Sequence, residues 1–246
     1  MNKTVRKVII IPSYKEMLAL PTMLTELREY LEKTDAILIM DDSPEVIAKE
    51  IDSLCKQALG KCAARYHFIN HQGKSGRGSA IRRGIEYSLD VFPDLEFIIE
   101  CDADGSHRPV DIAKVKESKS RSHMLVGSRY LSESKIVGWP ISRRIFSKIL
   151  NLIIPRLLDI KLHDITNGLR RYSTKAAYEI INQPQKNMGF IYLSEQALIV
   201  KQHGLEIEEI PIEFTDRTQG SSTVTWREIA ASVQGVVLLA KQKIIN

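Results

Sequence analysis

Residues 97–109 read FIIECDADGSHRP, and the fold is decided in this stretch. An apolar run predicted as a strand over Glu96–Cys101 breaks into Asp102-Ala103-Asp104 and the turn-prone Gly105-Ser106-His107. Pro109 then sits just inside the start of a helix predicted over Val110–Lys119. Strand, acidic loop, helix is the order expected of a parallel sheet with crossover helices, where ligands gather beyond the carboxyl ends of the strands. Two carboxylates at i and i+2, leaving a strand end, can aim at one hard cation that also takes diphosphate oxygens. From the tripeptide alone an ordinary turn, with Asp104 capping the helix near Pro109, remains open.

Working outward, the pattern repeats. Strands are predicted at Lys7–Ile11, Ala36–Met40, Arg65–Asn70 and Met124–Gly127, with helices at Leu20–Glu32, Glu45–Leu59 and Gly78–Val91 between them. The strand AILIM ends in Asp41-Asp42, in the same topological position as Asp102, so a parallel sheet opens both pairs onto one rim. There Asp42 can bond a base or ribose; a capped turn through Asp42 or Ser43 is the alternative. Pro12-Ser13-Tyr14-Lys15-Glu16 puts an aromatic, a cation and a carboxylate beyond the first strand. Gly73-Lys74-Ser75-Gly76-Arg77-Gly78-Ser79 opens a helix with backbone N–H groups that can approach phosphate, but it matches neither G-x-x-x-x-G-K-[ST] nor G-x-G-x-x-G.

The second half changes character. A loop and amphipathic helix are expected over Trp139–Leu158, a strand at Leu169–Tyr172, and helices at Thr174–Ile181 and Tyr192–His203. An extended Glu206–Phe214, a polar turn and a final helix from Trp226 to Lys243 follow. With no internal repeat or low-complexity linker, the expectation is a single domain over 1–246, residues 1–130 binding the nucleotide and 131–246 facing an acceptor.

Composition bounds the function. The chain has 246 residues, 43% of them hydrophobic, enough for a sizeable core, and a net charge of +5. That charge suits phosphate-bearing ligands or an anionic membrane face and falls short of a nucleic-acid signature, so no nucleic-acid partner is expected. Three cysteines without metal-ligand spacing fit a reducing, cytoplasmic setting. No stretch reaches the roughly 18 to 20 apolar residues of a spanning helix. The stretch from Val137 to Leu158 mixes Trp139, Ile141, Ile145, Phe146 and Ile149 with Arg143, Arg144 and Lys148, and reads either as an interfacial membrane face or as a helix packed on the sheet.

Taken in order, these segments resemble the nucleotide-diphospho-sugar glycosyltransferases of family 2, with the GT-A fold, most closely the dolichyl- and polyprenyl-phosphate mannose synthases. IPSYKE (11–16) and LIMDDS (38–43) match donor-base segments, ECDADGSHRP (100–109) the metal motif, and VGSRY (126–130) the strand and arginine after it. VGWPISRR (137–144) is similar to the access loop, DITNGLRRY (164–172) to the D-x-T-x-G-x-R stretch, and IPIEFTDRTQGSS (210–222) to the late arginine-glycine-serine loop.

The resemblance implies an α/β GT-A fold, a mostly parallel sheet flanked by helices. It implies a donor pocket from Pro12, Tyr14, Glu16, Asp42 and Asp102, and a divalent Mg²⁺ or Mn²⁺ on Asp102 and Asp104, with Ser106 acting through water. Arg129, Arg143 and Arg217 would surround the donor diphosphate and acceptor phosphate, with Ser221 beside the latter; Asp104, Arg129 and Arg217 are the expected catalytic set. The implied reaction is inverting transfer of a hexose, mannose favoured, from GDP-mannose to a polyprenyl phosphate. The implied place is the cytoplasmic face of a membrane, where the chain docks peripherally or borrows a membrane partner subunit. A hydroxyl acceptor would instead need a general base, Asp164 or Glu195. A saccharide-directed transferase, a nucleotidyltransferase and a non-catalytic nucleotide-sugar-binding subunit stay open beside this reading. Lys15 replaces the family's usual Asn, the Asp42 turn is shortened, Thr223 replaces Lys, and Gly105 stands for a common Leu or Met, departures that bear on base and sugar.

Overall fold

The computed structural model describes residues 4–185 and 191–216. Its seven-stranded sheet runs in the order β3-β2-β1-β4-β7-β5-β8. In chain order these strands are β1 (Lys7–Ser13), β2 (Asp35–Asp41), β3 (Arg65–Asn70), β4 (Phe97–Glu100), β5 (Met124–Ser128), β7 (Arg170–Ser173) and β8 (Ile207–Pro211). All pairings are parallel except those of β7, which lies antiparallel between β4 and β5. A second, two-stranded sheet pairs β6 (Lys135–Val137) with β9 (Glu213–Thr215).

Helices cover both faces: α1 (Ala19–Leu27), α2 (Glu45–Leu59), α3 (Arg77–Val91), α4 (Pro109–Lys116), α5 (Ile141–Leu158), α6 (Thr174–Asn182) and α7 (Tyr192–Gln202). The apolar run Val8-Ile9-Ile10-Ile11 shows why β1 sits centrally. All four are fully buried, Val8 and Ile10 in one cluster with α3 and α7 residues, Ile9 and Ile11 in the other with α1 and α2 residues. Each such side chain contributes roughly 1.5–3 kcal/mol by leaving water.

The predicted elements are mostly present, with three differences. The first helix stops at Leu27 and continues as a single 3₁₀ turn, Arg28–Tyr30. The stretch Glu206–Phe214 is not one strand; it leaves the main sheet after Pro211 and re-pairs as β9 with β6. Strand β6, three residues long, has too little pattern to be read in advance. The alternative readings, a cap by Asp42 or Ser43 on α2 and by Asp104 on α4, are not met: the cap positions are Pro44 and Arg108, without side-chain bonds.

Candidate active site

The carboxyl ends of β1, β2 and β4 open on a cleft of about 730 Å³. Pro12, Tyr14, Glu16, Asp42, Asp102 and Asp104, all singled out from sequence, line it together.

The acidic loop is stitched from below. The Asp102 N–H donates to His107 Nδ1 at 3.1 Å, which leaves the ring proton on Nε2, 2.8 Å from Asn167 Oδ1. Asn167 in turn donates to the Gly127 carbonyl at the end of β5. Asp104 Oδ1 accepts the Ser106 N–H at 3.0 Å. The turn between them needs Gly105 at φ 74°, a left-handed conformation that a Leu or Met would adopt only under strain.

The β2 rim grips the glycine-rich loop. Asp42 accepts the Ser75 N–H at 2.9 Å, the Ser75 hydroxyl at 2.6 Å and an Arg83 N–H at 2.7 Å. Ser43 Oγ accepts the Lys15 N–H at 2.8 Å, holding Lys15 at φ 61°. That backbone would suit Asn, which tolerates left-handed geometry better than Lys. Lys15 and Lys74 put their ammonium groups 5.2 and 5.3 Å from the Tyr14 ring centroid, a basic, aromatic wall.

A group that sequence reading passed over forms the floor. Arg77 donates from Nε to Asp102 Oδ1 at 2.5 Å, from Nη1 to Glu100 Oε2 at 3.3 Å and from Nη2 to the Gly168 carbonyl at 3.0 Å. Beneath it, fully buried Glu100 accepts the Tyr192 hydroxyl at 3.0 Å, and the Tyr172 hydroxyl lies 2.8 Å from its other oxygen. Burial pushes the Glu100 carboxyl up from its usual range, against the Arg77 and Arg170 charges. Burial alone would lower the Arg77 pKa, but Asp102 and Glu100 hold it above its ordinary value. The signals were a cation inside a glycine-rich loop and a carboxylate inside an apolar strand.

The D-x-T-x-G-x-R stretch resolves into four tasks. Asp164 takes Arg129 in a two-pronged pair at 2.7 and 2.8 Å. Thr166 accepts from Arg129 at 2.7 Å and from Asn151 of α5 at 2.9 Å, and lines the cleft. Gly168 makes room for Arg77: a Cβ there would stand 2.5 Å from Nη2. Arg170, fully buried, clamps the carbonyls of Asn167, Leu193 and Ile165 at 3.0, 2.6 and 2.7 Å.

The other sequence-predicted residues fall elsewhere. Arg129 packs near the rings of Trp139 and Phe214, its charge matched by buried Asp164, and neither of the pair lines the cleft. Burial pulls the Arg129 pKa down and Asp164 more than restores it. Arg143 lies 4.1 Å from the Trp139 ring centroid and donates to Asp216 at 2.8 Å. Glu195 is buried in α7. Arg217, Ser221, Thr223 and the helix expected from Trp226 to Lys243 lie outside the described residues.

The donor set fits a hard divalent cation. Two carboxylates share one loop at the cleft, and the buried Ser106 hydroxyl has no hydrogen-bond partner among the described residues. No group of three His, Cys, Asp or Glu placed to hold one metal ion is present among the described residues, so such a cation would complete its shell with ligand oxygens and water.

A mostly parallel sheet carrying such a rim defines a class, the GT-A glycosyltransferases. Glucosyl-3-phosphoglycerate synthase of Mycobacterium tuberculosis, solved with Mn²⁺, UDP and glucosyl-3-phosphoglycerate, superposes at TM-score 0.63 with 11% identity, over 97% of this chain and 80% of that one. Mannosyl-3-phosphoglycerate synthase of Rubrobacter xylanophilus does so at TM-score 0.56 and 14% identity, over 98% and 74%. Residues 8–181 match glycosyl transferase family 2, and the chain belongs to that family. Undecaprenyl-phosphate mannosyltransferase of Micrococcus luteus is 28% identical over 94% of this chain and 92% of its own length. Polyprenol monophosphomannose synthase of Mycolicibacterium smegmatis is 28% identical over 92% and 83%.

Proposed function

We propose that this glycosyltransferase moves a hexose, mannose favoured, from a nucleoside-diphosphate sugar, GDP-mannose favoured, to a polyprenyl phosphate, with inversion at the anomeric carbon. The observation that carries this is the near full-length match to two mannosyl-transferring relatives whose names specify polyprenyl acceptors.

Tyr14, Glu16 and Asp42 hold the donor's base and ribose, and Asp102 and Asp104, with Ser106 through water, hold Mg²⁺ or Mn²⁺. When bound, that ion neutralises charge on the departing nucleoside diphosphate. A phosphate monoester acceptor arrives already anionic, so the protein has to position and screen rather than remove a proton. The engagement of Asp164 with Arg129 agrees with this, since it leaves that candidate base committed to an ion pair. Arg143, Arg217 and Ser221 take the acceptor phosphate, and Arg129 holds Asp164 and Thr166 beside the cleft.

Lipid access is supported by α5, which exposes Ile141, Ile145, Phe146, Ile149, Leu152 and Leu157 between Arg144, Lys148 and Arg156. No helix among the described residues is long and apolar enough to cross a membrane. On this reading the exposed face of α5 docks the chain peripherally at a cytoplasmic membrane face, alone or on a membrane subunit.

The test is nucleoside diphosphate release from GDP- and UDP-sugars with Mn²⁺, with and without a short polyprenyl phosphate. Lipid-dependent release from GDP-mannose is expected, with Asp104→Ala folded and at least about a hundredfold slower. Release independent of the lipid phosphate would refute the acceptor; normal turnover in Asp104→Ala would refute the metal site.

A further inference from the structure

We propose that Arg77 is a resident cation of the donor site, sharing Asp102 with the divalent ion and supplying part of the charge that binds a nucleoside diphosphate. The inference rests on the placement of that ion at Asp102 and Asp104.

Arg77 is fixed rather than roaming. The Gly168 carbonyl and Glu100 each hold one prong of its fork, and its guanidinium carbon lies 5.4 Å from the Tyr192 ring centroid. Gly168 has no side chain to push it away. Of its five N–H groups, Nε serves Asp102 and one on each Nη serves Glu100 or Gly168. One N–H on each terminal nitrogen has no partner among the described residues. The side chain is 21% exposed and lines the cleft beside Gly76, Ala103 and Asp104. A fork with two open donors at the wall of an anion cleft suits diphosphate oxygens.

Apart from the Lys15 and Lys74 ammonium groups at Tyr14, the site carries Asp102, Asp104 and, beneath them, buried Glu100, an acidic field that repels a diphosphate. Arg77 offsets it permanently. The same charge, 2.5 Å from an Asp102 oxygen, opposes a second cation on that carboxylate. Two consequences follow together: the nucleotide binds without metal, and the metal binds weakly without nucleotide. A guanidinium serving only to brace the fold would produce neither.

Titration of GDP and UDP, in EDTA and in Mn²⁺, is compared for wild type, Arg77→Met and Arg77→Met/Glu100→Gln; the double variant spares a buried carboxylate the loss of its cation. Mn²⁺ binding to the nucleotide-free proteins is read by electron paramagnetic resonance, and folding by thermal melting. The wild type is expected to bind one nucleotide in EDTA, and the folded variants to lose about tenfold or more of that affinity. Their nucleotide-free Mn²⁺ affinity is expected to rise about threefold or more. Unchanged EDTA affinity or unchanged Mn²⁺ affinity in a folded variant overturns the proposal, as does wild-type binding of both nucleotides only with Mn²⁺. Asp104→Asn separates the underlying assignment: if it binds Mn²⁺ as the wild type does, the metal site falls, and the EDTA arm alone decides whether Arg77 binds the nucleotide.

Discussion

Gly168 and Arg77 are ninety-one positions apart and occupy complementary space: the carbonyl of one holds the guanidinium of the other at 3.0 Å, and the missing Cβ is what lets it lie there. Gly168→Ala would put a methyl group 2.5 Å from Nη2. The clash is with the far end of a flexible side chain, so the fold should survive at a cost of about 1 kcal/mol, while Arg77 is turned off Asp102. Calorimetry should show weaker nucleoside diphosphate binding with a nearly unchanged melting curve; wild-type affinity would show that the contact is immaterial.

The Arg129–Asp164 pair is buried at both ends, so removing one partner strands a charge. Asp164→Ala is expected to lose about 3–5 kcal/mol of stability in urea denaturation. Replacing both, as Arg129→Met with Asp164→Leu, should recover most of it. A double variant no more stable than the single would mean that the loss comes from the Thr166 loop instead.

Lys15 is held in a left-handed conformation by position, not by preference. Lys15→Asn keeps the backbone bond to Ser43 and relieves that strain, and should raise stability by about 0.5–1 kcal/mol. A lower denaturation midpoint would show that the ammonium's stacking on Tyr14 outweighs the backbone term.

If α5 meets lipid, charges on its apolar face should remove it. Ile145→Glu with Ile149→Glu, both at exposed positions, should leave the melting temperature unchanged and weaken sedimentation with anionic vesicles about tenfold or more. Undiminished vesicle binding would assign the face to something other than a bilayer.

Much of this was legible in advance because it is local. Apolar strands that end in Asp41-Asp42 and Asp102-Ala103-Asp104 announce a rim, and parallel pairing brings their ends together. What stayed hidden is non-local. Nothing near Arg129 says that its partner is Asp164, thirty-five residues on, and nothing near Arg77 points to Gly168. The split of Glu206–Phe214 also depends on a distant partner, since β9 exists only because β6 is there to receive it.

The antiparallel insertion of β7 has a last consequence, for how this protein can be divided. Ile99 of β4 and Leu125 of β5 both stand opposite Arg171, so β4, which carries the acidic loop, is joined to β5 only through a segment made later in the chain. A fragment ending near residue 130 would expose the β4 edge and leave Glu100 without Tyr172 and Tyr192. The first 130 residues are therefore not a detachable cassette: shuffling or splitting the gene there should yield aggregates, and during synthesis the cleft cannot close before the ribosome has passed residue 192.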